Sequence, residues 1–256
     1  MRILALGDVV GSATVDYLRH TLWDFRRRNA IDFTVANGEN TSEIRGLSAA
    51  DAQALLDTGI DLLTLGNHAF GKRDLYPFLE NSNSIIRPAN FPPIAPGSGY
   101  AIVNVNGYRL LCINVCGRVY MDPLASPFET LDKILAREKG GYDLALLDIH
   151  AEATSEKLAL AHRYDGKIAV MFGTHTHVPT ADERVLPHGS GYLTDLGMCG
   201  LIDGILGTSR EAVLERFETM MPVRFSVAGG EIRAEGAIFD LDESAGRVRS
   251  VKRVTF

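Results

Sequence analysis

The chain has 256 residues, a length that suits one large α/β domain or two small ones. Hydrophobic residues make up 46% and charged residues 23% of it, as in ordinary globular proteins, and the formal net charge is −6. This acidic balance argues against a broad surface for nucleic acid or anionic membranes, although it leaves room for a phosphate ester at a local cationic site.

The cysteines and the first residues indicate the compartment. Cys112, Cys116 and Cys199 show no paired spacing, so we expect reduced and mostly buried thiols in an intracellular protein. The opening MRILALGDVVG lacks the long apolar segment and the cleavage site of a signal peptide. No apolar run approaches the ~20 residues that a membrane span needs. We therefore expect a cytoplasmic protein that does not enter the membrane.

Short apolar runs alternate with helical stretches along most of the chain, which is the pattern of βαβ units. The predicted strands are Arg2–Leu6, Ile31–Ala36, Asp61–Leu65, Tyr100–Val105, Tyr108–Val115, Asp143–Ile149, Ile168–Phe172 and Gly191–Thr194. The predicted helices are Val15–Arg28, Ala49–Asp57, Pro127–Lys139, Ser155–Tyr164 and Ser209–Met220. From residue 223 to residue 254 polar and apolar residues alternate, and turns at 228–231 and 243–246 favour antiparallel hairpins. No linker-like change of composition divides the chain, so we expect a single domain over residues 1–256.

Polar side chains follow five of the predicted strands, at the strand ends where functional groups gather in α/β sheets. They are Asp8, Glu39 with Asn40, Asn67 with His68, His150, and His175 with His177. Burying so many polar groups together costs on the order of several kcal/mol unless something satisfies them, and divalent cations would do so. The GTHTH motif adds a second reason, because side chains two apart on a strand point to the same face. Taken alone, that motif is equally compatible with a polar strand end that binds no metal.

The motifs GD, GEN, GNH, DIH and GTHTH, in this order along the chain, resemble those of the calcineurin-like metallophosphoesterase superfamily. The longer stretches GDVVG, LTLGNHAF, HAEATSEK and GTHTHVPTADERVLP are similar to its bacterial YmdB-like branch, and the resemblance runs from Arg2 to about Gly200. Val10 stands where the wider superfamily has a histidine, and Glu39 where it has a bridging aspartate; the YmdB-like branch shows both substitutions. The resemblance implies an α/β fold with four layers, an α/β/β/α metallophosphoesterase sandwich. An amidohydrolase barrel also uses an HxH motif, but at its first strand rather than after residue 170.

The resemblance also implies a role for each candidate residue. It implies two divalent or trivalent metal ions, with iron preferred to manganese. The ligands of the first ion would be Asp8, Glu39, Asn40 and His177. The ligands of the second ion would be Glu39, Asn67, His150 and His175. Glu39 would bridge them, and His68 would be the general acid for the leaving oxygen. Thr41, Arg45 and His188 lie in loops after proposed ligands and are weaker candidates for substrate contact. Asp195 is expected to orient a ligand imidazole or to cap a turn.

The implied function is hydrolysis of a small phosphoester by a hydroxide that bridges the two metals, with 2′,3′-cyclic nucleotides as the substrate. The alternatives are a broad-specificity phosphomonoesterase and a metal-binding regulatory protein that acts through a partner. Retention of His68 favours an enzyme, because a scaffold gains nothing from an acid beside the metals. Long nucleic acid is not expected as a partner, since binding its backbone needs clustered Lys and Arg. Whether the chain forms a homo-oligomer stays open.

Overall fold

The computed structural model describes all 256 residues and contains every predicted strand and helix, with most boundaries shifted by a few residues. The strands are β1 Arg2–Val10, β2 Phe33–Asn40, β3 Leu62–Thr64, β4 Tyr100–Val105, β5 Tyr108–Cys116, β6 Leu144–His150, β7 Val170–Thr174, β8 Arg184–Val185, β9 Gly191–Leu193, β10 Met198–Leu201, β11 Ile232–Asp242 and β12 Arg247–Thr255. The helices are α1 Ser12–Asn29, α2 Ala49–Asp57, α3 Tyr76–Asn81, α4 Pro127–Arg137, α5 Thr154–Tyr164 and α6 Arg210–Thr219, and a 3-10 turn covers Arg73–Leu75.

The strands form two six-stranded sheets. The first has the order β12-β11-β10-β1-β2-β3, and the second has the order β4-β5-β6-β7-β9-β8. Strand β1 runs parallel to β2 and β10, but its first half also pairs antiparallel with β11, from Arg2 opposite Asp240 to Leu6 opposite Gly236. In the second sheet β5, β6, β7 and β9 are mutually parallel.

Four layers follow from the alternation of buried side chains along the strands. On β1, Ile3 and Ala5 face the second sheet, whereas Leu4 and Leu6 pack with the helix layer that contains α1 and α2. On β5, Leu111 faces the other way, toward α4 and α5. One apolar cluster thus lies between the two sheets, and each of the other two lies between a sheet and its helix layer. The predicted α/β/β/α sandwich is confirmed.

Local start signals place several helices. The side chain of Ser48 accepts a hydrogen bond from the backbone N–H of Asp51 at the start of α2, and Ser126 and Ser209 cap α4 and α6 in the same way. Each cap satisfies one of the backbone donors that the first turn of a helix leaves free. The helix starts near these residues were therefore readable from the sequence.

Of the two hairpin turns predicted between residues 223 and 254, one is confirmed. Strands β11 and β12 pair around the predicted turn at 243–246, but the predicted turn at 228–231 does not close a hairpin. Residues 223–227 form no strand, and one isolated bridge joins Val227 to Thr208. The physical reason is that this segment packs on the start of α1, where Val227 would lie 3.0 Å from a Cβ at Gly11. Strands β8 and β10 and helix α3 were not predicted.

The three cysteines are buried and unpaired, as predicted. Burial raises the pKa of Cys199 to about 12 and shifts the other two thiols in the same direction, so all three stay protonated. No helix combines the length and the apolar character that a membrane crossing requires.

Phe239→Ala tests the packing between the sheets. Phe239 is fully buried there, with its ring centroid 6.2 Å from that of Phe172. We expect the substitution to lower the free energy of unfolding by about 3–5 kcal/mol, because it removes apolar contact and leaves a cavity. Denaturant titration measures the change. Phe217→Ala is the matched control, since that ring is 75% exposed and should change stability by less than about 1 kcal/mol.

Candidate metal centre

Side chains of types that can bind a metal ion converge from both sheets where the parallel strands end. His150 Nε2, at the end of β6, lies 2.9 Å from Glu39 Oε1 on β2 and 3.0 Å from Asn67 Oδ1 in the loop after β3. His175 Nδ1, just after β7, lies 3.1 Å from the same His150 nitrogen. Ligand atoms of Glu39, His150 and His175 all lie within 4.8 Å of one another. The four residues that sequence reasoning grouped as the second metal position are therefore neighbours.

Asp8 and His177 adjoin this group. Asp8 Oδ1 lies 3.8 Å from His177 Nε2 and 4.0 Å from His150 Nδ1, and Asp8 Oδ2 accepts the backbone N–H of His175 at 3.0 Å. Asn40, on β2, donates through Nδ2 to the carbonyl oxygen of Ile44 at 2.8 Å. Asp8 Oδ1 and Asn40 Oδ1 are buried without a hydrogen-bond partner.

These two orphaned oxygens are the observation that fits a bound cation. Burial raises the pKa of Asp8, and the cations of His177 and His150 only partly oppose that shift. A buried carboxylate oxygen without a donor is costly unless positive charge lies beside it. Carboxylates, carboxamide oxygens and imidazoles together are ligands suited to first-row transition metals. The residues present therefore fit a metal centre.

The pKa values of the clustered side chains are set by two factors, burial and the charges of their close neighbours. Burial alone would lower the pKa of His150, but the Glu39 carboxylate, with Asp8 further away, raises it to about 9. Burial alone would raise the pKa of Glu39, but the charge and hydrogen bond of His150 lower it to about 2. Burial, and then the His150 cation, lower the pKa of His175 to about 3. Since ligand imidazoles must be unprotonated, a metal ion bound by His150 would displace its proton.

Only the first two residues of the GTHTH motif belong to a strand. β7 ends at Thr174, and His175 and His177 follow it with φ values of 100° and 63°. Positive φ is unfavourable for residues with a Cβ and is often found at functional sites. The expectation that strand alternation aligns the two imidazoles was therefore wrong. Both side chains reach the Asp8 region because the backbone turns sharply after Thr174.

A buried ion pair holds this turn. Lys157, on α5, donates to Asp195 Oδ2 at 2.7 Å and to the carbonyl oxygen of Thr174 at 2.9 Å. Asp195 also accepts the backbone N–H of Thr176, between the two histidines, at 3.3 Å. Of the two roles expected for Asp195, the structure shows the capping of turns, since Asp195 also accepts the backbone N–H of Gly197 at 2.9 Å. Lys157 was missed, because within ATSEKLALAHRY it looks like an ordinary charged residue of a helix.

A buried series of hydrogen bonds orients the His150 ring. Its Nδ1 lies 2.9 Å from Thr174 Oγ1, and that hydroxyl donates to Asp148 Oδ1 at 2.8 Å. Asp148 also accepts from the Thr64 hydroxyl. With Nδ1 so engaged, Nε2 is left to face Glu39 and Asn67, which fixes the tautomer needed for a metal ligand. Glu152 does the same for His175, with Oε2 lying 3.1 Å from Nε2 of that ring. None of these partners was predicted.

His68 occupies the turn after β3, beside the proposed ligands Glu39 and Asn67. Its backbone N–H donates to Glu39 Oε2 at 2.7 Å, while its half-buried ring lies with Nε2 3.4 Å from Asn67 Nδ2. Burial lowers the pKa of His68, Glu39 opposes that shift, and the cation of Arg45 adds to it. His68 is therefore adjacent to the candidate metal ligands, with an imidazole that gives up its proton readily.

The family model for YmdB-like proteins matches residues 4–254. The chain belongs to the YmdB-like family. It is 41% identical over 254 residues to a 2′,3′-cyclic-nucleotide 2′-phosphodiesterase of Bacillus subtilis strain 168, with 99% of this chain and 96% of that relative aligned. The family resemblance seen in the sequence is confirmed.

Two solved structures share the YmdB-like fold of this chain closely. A hypothetical protein from Thermus thermophilus superposes with a TM-score of 0.94 at 41% identity, covering 100% of this chain and 99% of that one. A phosphatase from Mycoplasma pneumoniae has the same TM-score of 0.94 at 30% identity, covering 100% of this chain and 93% of that one. These similarities extend over the whole sandwich, so the site lies in a shared framework.

Of the three weaker candidates in this YmdB-like chain, two have positions unsuited to substrate. Thr41 is fully buried, and its hydroxyl donates to the carbonyl oxygen of Gly38 at 2.9 Å. His188 is 76% exposed and bonds Asp165 at 3.0 Å, near the start of β7 and thus at the opposite end of the sheet. Both expectations were wrong, because position in a loop does not determine which edge of the sheet the loop occupies. Arg45 is exposed in the loop after β2.

Gly66→Ala tests the close approach of the β3 loop to His150. A Cβ at Gly66 would lie 2.2 Å from the His150 ring, so the imidazole must move. We expect metal affinity to fall by about 10- to 100-fold, the usual effect of disturbing a residue that orients a ligand. Elemental analysis after dialysis measures it. Gly229→Ala is the control, since a Cβ there meets nothing within 4 Å. Equal metal content in the two variants would contradict the proposed place of His150.

Proposed function

We propose that this chain is a dinuclear metal-dependent phosphodiesterase that converts 2′,3′-cyclic nucleotides into 3′-monophosphates. The broader class, a phosphoric ester hydrolase, follows from its family and from the named relatives. The observation that carries the proposal is the convergence of Glu39, Asn67 and His175 on His150 Nε2 beside the unpartnered Asp8 carboxylate. A 41% identical relative named a 2′,3′-cyclic-nucleotide 2′-phosphodiesterase supports the substrate. The free buried thiols support a cytoplasmic location.

The metal ligands divide between the two ions as the sequence suggested. Asp8, Asn40 and His177 would serve the first ion, while Asn67, His150 and His175 would serve the second, with Glu39 shared. Bound there, the ions would lower the pKa of a water molecule, hold the phosphoryl oxygens and offset the charge of the in-line displacement. The imidazole ligands favour a first-row transition metal, and the choice of iron before manganese rests on the family resemblance.

His68 supplies the proton that the leaving group needs. Water attacks the phosphorus and releases one proton to the solvent, the bond from phosphorus to the 2′ oxygen breaks, and that oxygen takes the proton from the His68 imidazolium. His68 is left neutral and takes up a proton from the solvent before the next turnover. The backbone N–H bond to Glu39 keeps His68 next to the ligands without making its ring one of them. Its lowered pKa strengthens it as an acid and reduces the fraction that is protonated above neutral pH. A phosphomonoesterase is the alternative, favoured by the 30% identical relative described as a phosphatase.

Two substitutions separate metal binding from proton transfer. We expect Glu39→Ala to lose both ions, because Glu39 is the only proposed bridge. His68→Ala should keep close to two ions per chain and lower turnover by about 10²–10⁴-fold, the usual scale for a general acid. Elemental analysis and hydrolysis of bis-p-nitrophenyl phosphate by the same samples measure both quantities. Metal loss in His68→Ala would make His68 a ligand instead of the acid.

The substrate class is tested by kinetics on one metal-loaded preparation. We expect a higher kcat/KM for 2′,3′-cyclic AMP than for 3′,5′-cyclic AMP or p-nitrophenyl phosphate, because the five-membered cyclic diester is compact enough for both free oxygens to reach the metal centre. Nuclear magnetic resonance of the product should show the 3′-monophosphate. Faster hydrolysis of the monoester would replace the phosphodiesterase by the phosphomonoesterase and leave the metal centre as proposed.

A further inference from the structure

A cleft of about 660 Å³ opens between the loop after β2 and the irregular segment before β11. Ile44 and Arg45 line one side of it, and Val223, Arg224, Phe225 and Val227 line the other. Its volume falls within the range of about 300–1,000 Å³ that small-molecule sites occupy. The function proposed above gives none of these residues a role.

Both walls of the cleft are attached to the metal centre. On one side the carbonyl oxygen of Ile44 accepts the hydrogen bond of Asn40, a proposed ligand. On the other side Leu206 accepts a hydrogen bond from His177 Nδ1 at 3.2 Å, and the neighbouring Thr208 bridges Val227. The two walls of the cleft are therefore joined by hydrogen bonds to two of the proposed metal ligands, Asn40 and His177.

The charges of the cleft favour an anion. Its one carboxylate, that of Glu43, pairs with Lys72 at 3.6 Å. Arg45 and Arg224 are exposed and take part in no ion pair. Two unpaired guanidinium groups on a chain of net charge −6 make this cleft a local cationic site, and guanidinium groups bind phosphate well.

The apolar part of the cleft favours a flat ring. Phe225 is 36% exposed, and Ile44 and Val223 are half-buried beside it. An aromatic ring left open to solvent next to cationic groups offers the two interactions that nucleotides use, which are stacking on the base and attraction to the phosphate.

We propose that this cleft holds the nucleoside of the substrate, with Phe225 stacked on the base and with Arg45 and Arg224 attracting the phosphate. The inference rests on the proposed function, whose metal centre holds the phosphate. Stacking accepts every base, so the cleft selects nucleotides over simple phosphate esters and discriminates little between adenine and guanine.

The test compares two substrates that share the five-membered cyclic phosphate, 2′,3′-cyclic AMP and ethylene glycol cyclic phosphate, which has no nucleoside. We expect Phe225→Ala to raise KM for the nucleotide by about 5- to 150-fold, the range set by loss of one stacked base. Its hydrolysis of ethylene glycol cyclic phosphate should match that of the unaltered protein. Phe217→Ala, on α6 and outside the cleft, is the matched control and should change neither substrate.

Arg224→Gln tests the electrostatic part. It should raise KM for the nucleotide by a smaller factor, and that factor should shrink at high salt, because exposed charges are screened. Equal effects of Phe225→Ala on both substrates, or no effect on the nucleotide, would overturn the assignment of the cleft.

Binding of adenosine 3′-monophosphate, measured by calorimetry, keeps this inference separate from the proposed activity. Suppose that neither cyclic ester is hydrolysed but the nucleotide binds, and that Phe225→Ala weakens this binding. The proposed activity is then wrong, and the assignment of the cleft is supported. If cyclic AMP is hydrolysed and Phe225→Ala leaves both KM and binding unchanged, the cleft is wrong and the activity stands. Absence of both hydrolysis and nucleotide binding would overturn both.

Discussion

The contact between Glu39 and His150 joins the two sheets at the edge where their parallel strands end. Glu39 belongs to the first sheet and His150 to the second, and both side chains are buried with only 2.9 Å between the paired atoms. Removing two such charges from water is expensive, and their mutual attraction offsets that cost only when the geometry is good and further hydrogen bonds exist. The sandwich supplies both, since the apolar cluster between the sheets sets their spacing and neighbouring polar groups satisfy the remaining atoms.

The polar residues around this contact keep unfavourable conformations in place. His175 and His177 hold positive φ values, which the loop alone would not favour. The buried pair of Lys157 and Asp195 fixes the backbone between them, and Thr174 links the loop to His150. Breaking a buried pair from one side leaves an uncompensated charge, so these supporting residues tie the geometry of the site to the stability of the fold.

Most of the strands, and the polar residues that follow them at the site, could be predicted because both depend on local pattern. Apolar runs mark buried strands whatever their partners, and polar residues directly after such runs mark one edge of the sheet. The supporting residues depend on contacts between distant segments, which no local pattern encodes. Lys157 shares the buried face of α5 with Leu160 and Tyr164, but its charge is typical of a helix surface. Phe225 lies in a stretch that alternates like a strand but forms none. His188 and Thr41 failed for the same reason, since their positions are decided by tertiary packing.

The antiparallel pairing of β1 with β11 has a consequence for how the chain is made. It places Arg2 opposite Asp240, so β1 leaves the ribosome long before the strand with which it pairs. At about 5–20 residues per second, that interval is roughly 12–48 s. During synthesis β1 can pair with β2, but its other edge stays open until β10 and β11 arrive. Open strand edges promote pairing with other chains, so the nascent protein is most vulnerable to aggregation in the interval before its C-terminal strands are complete.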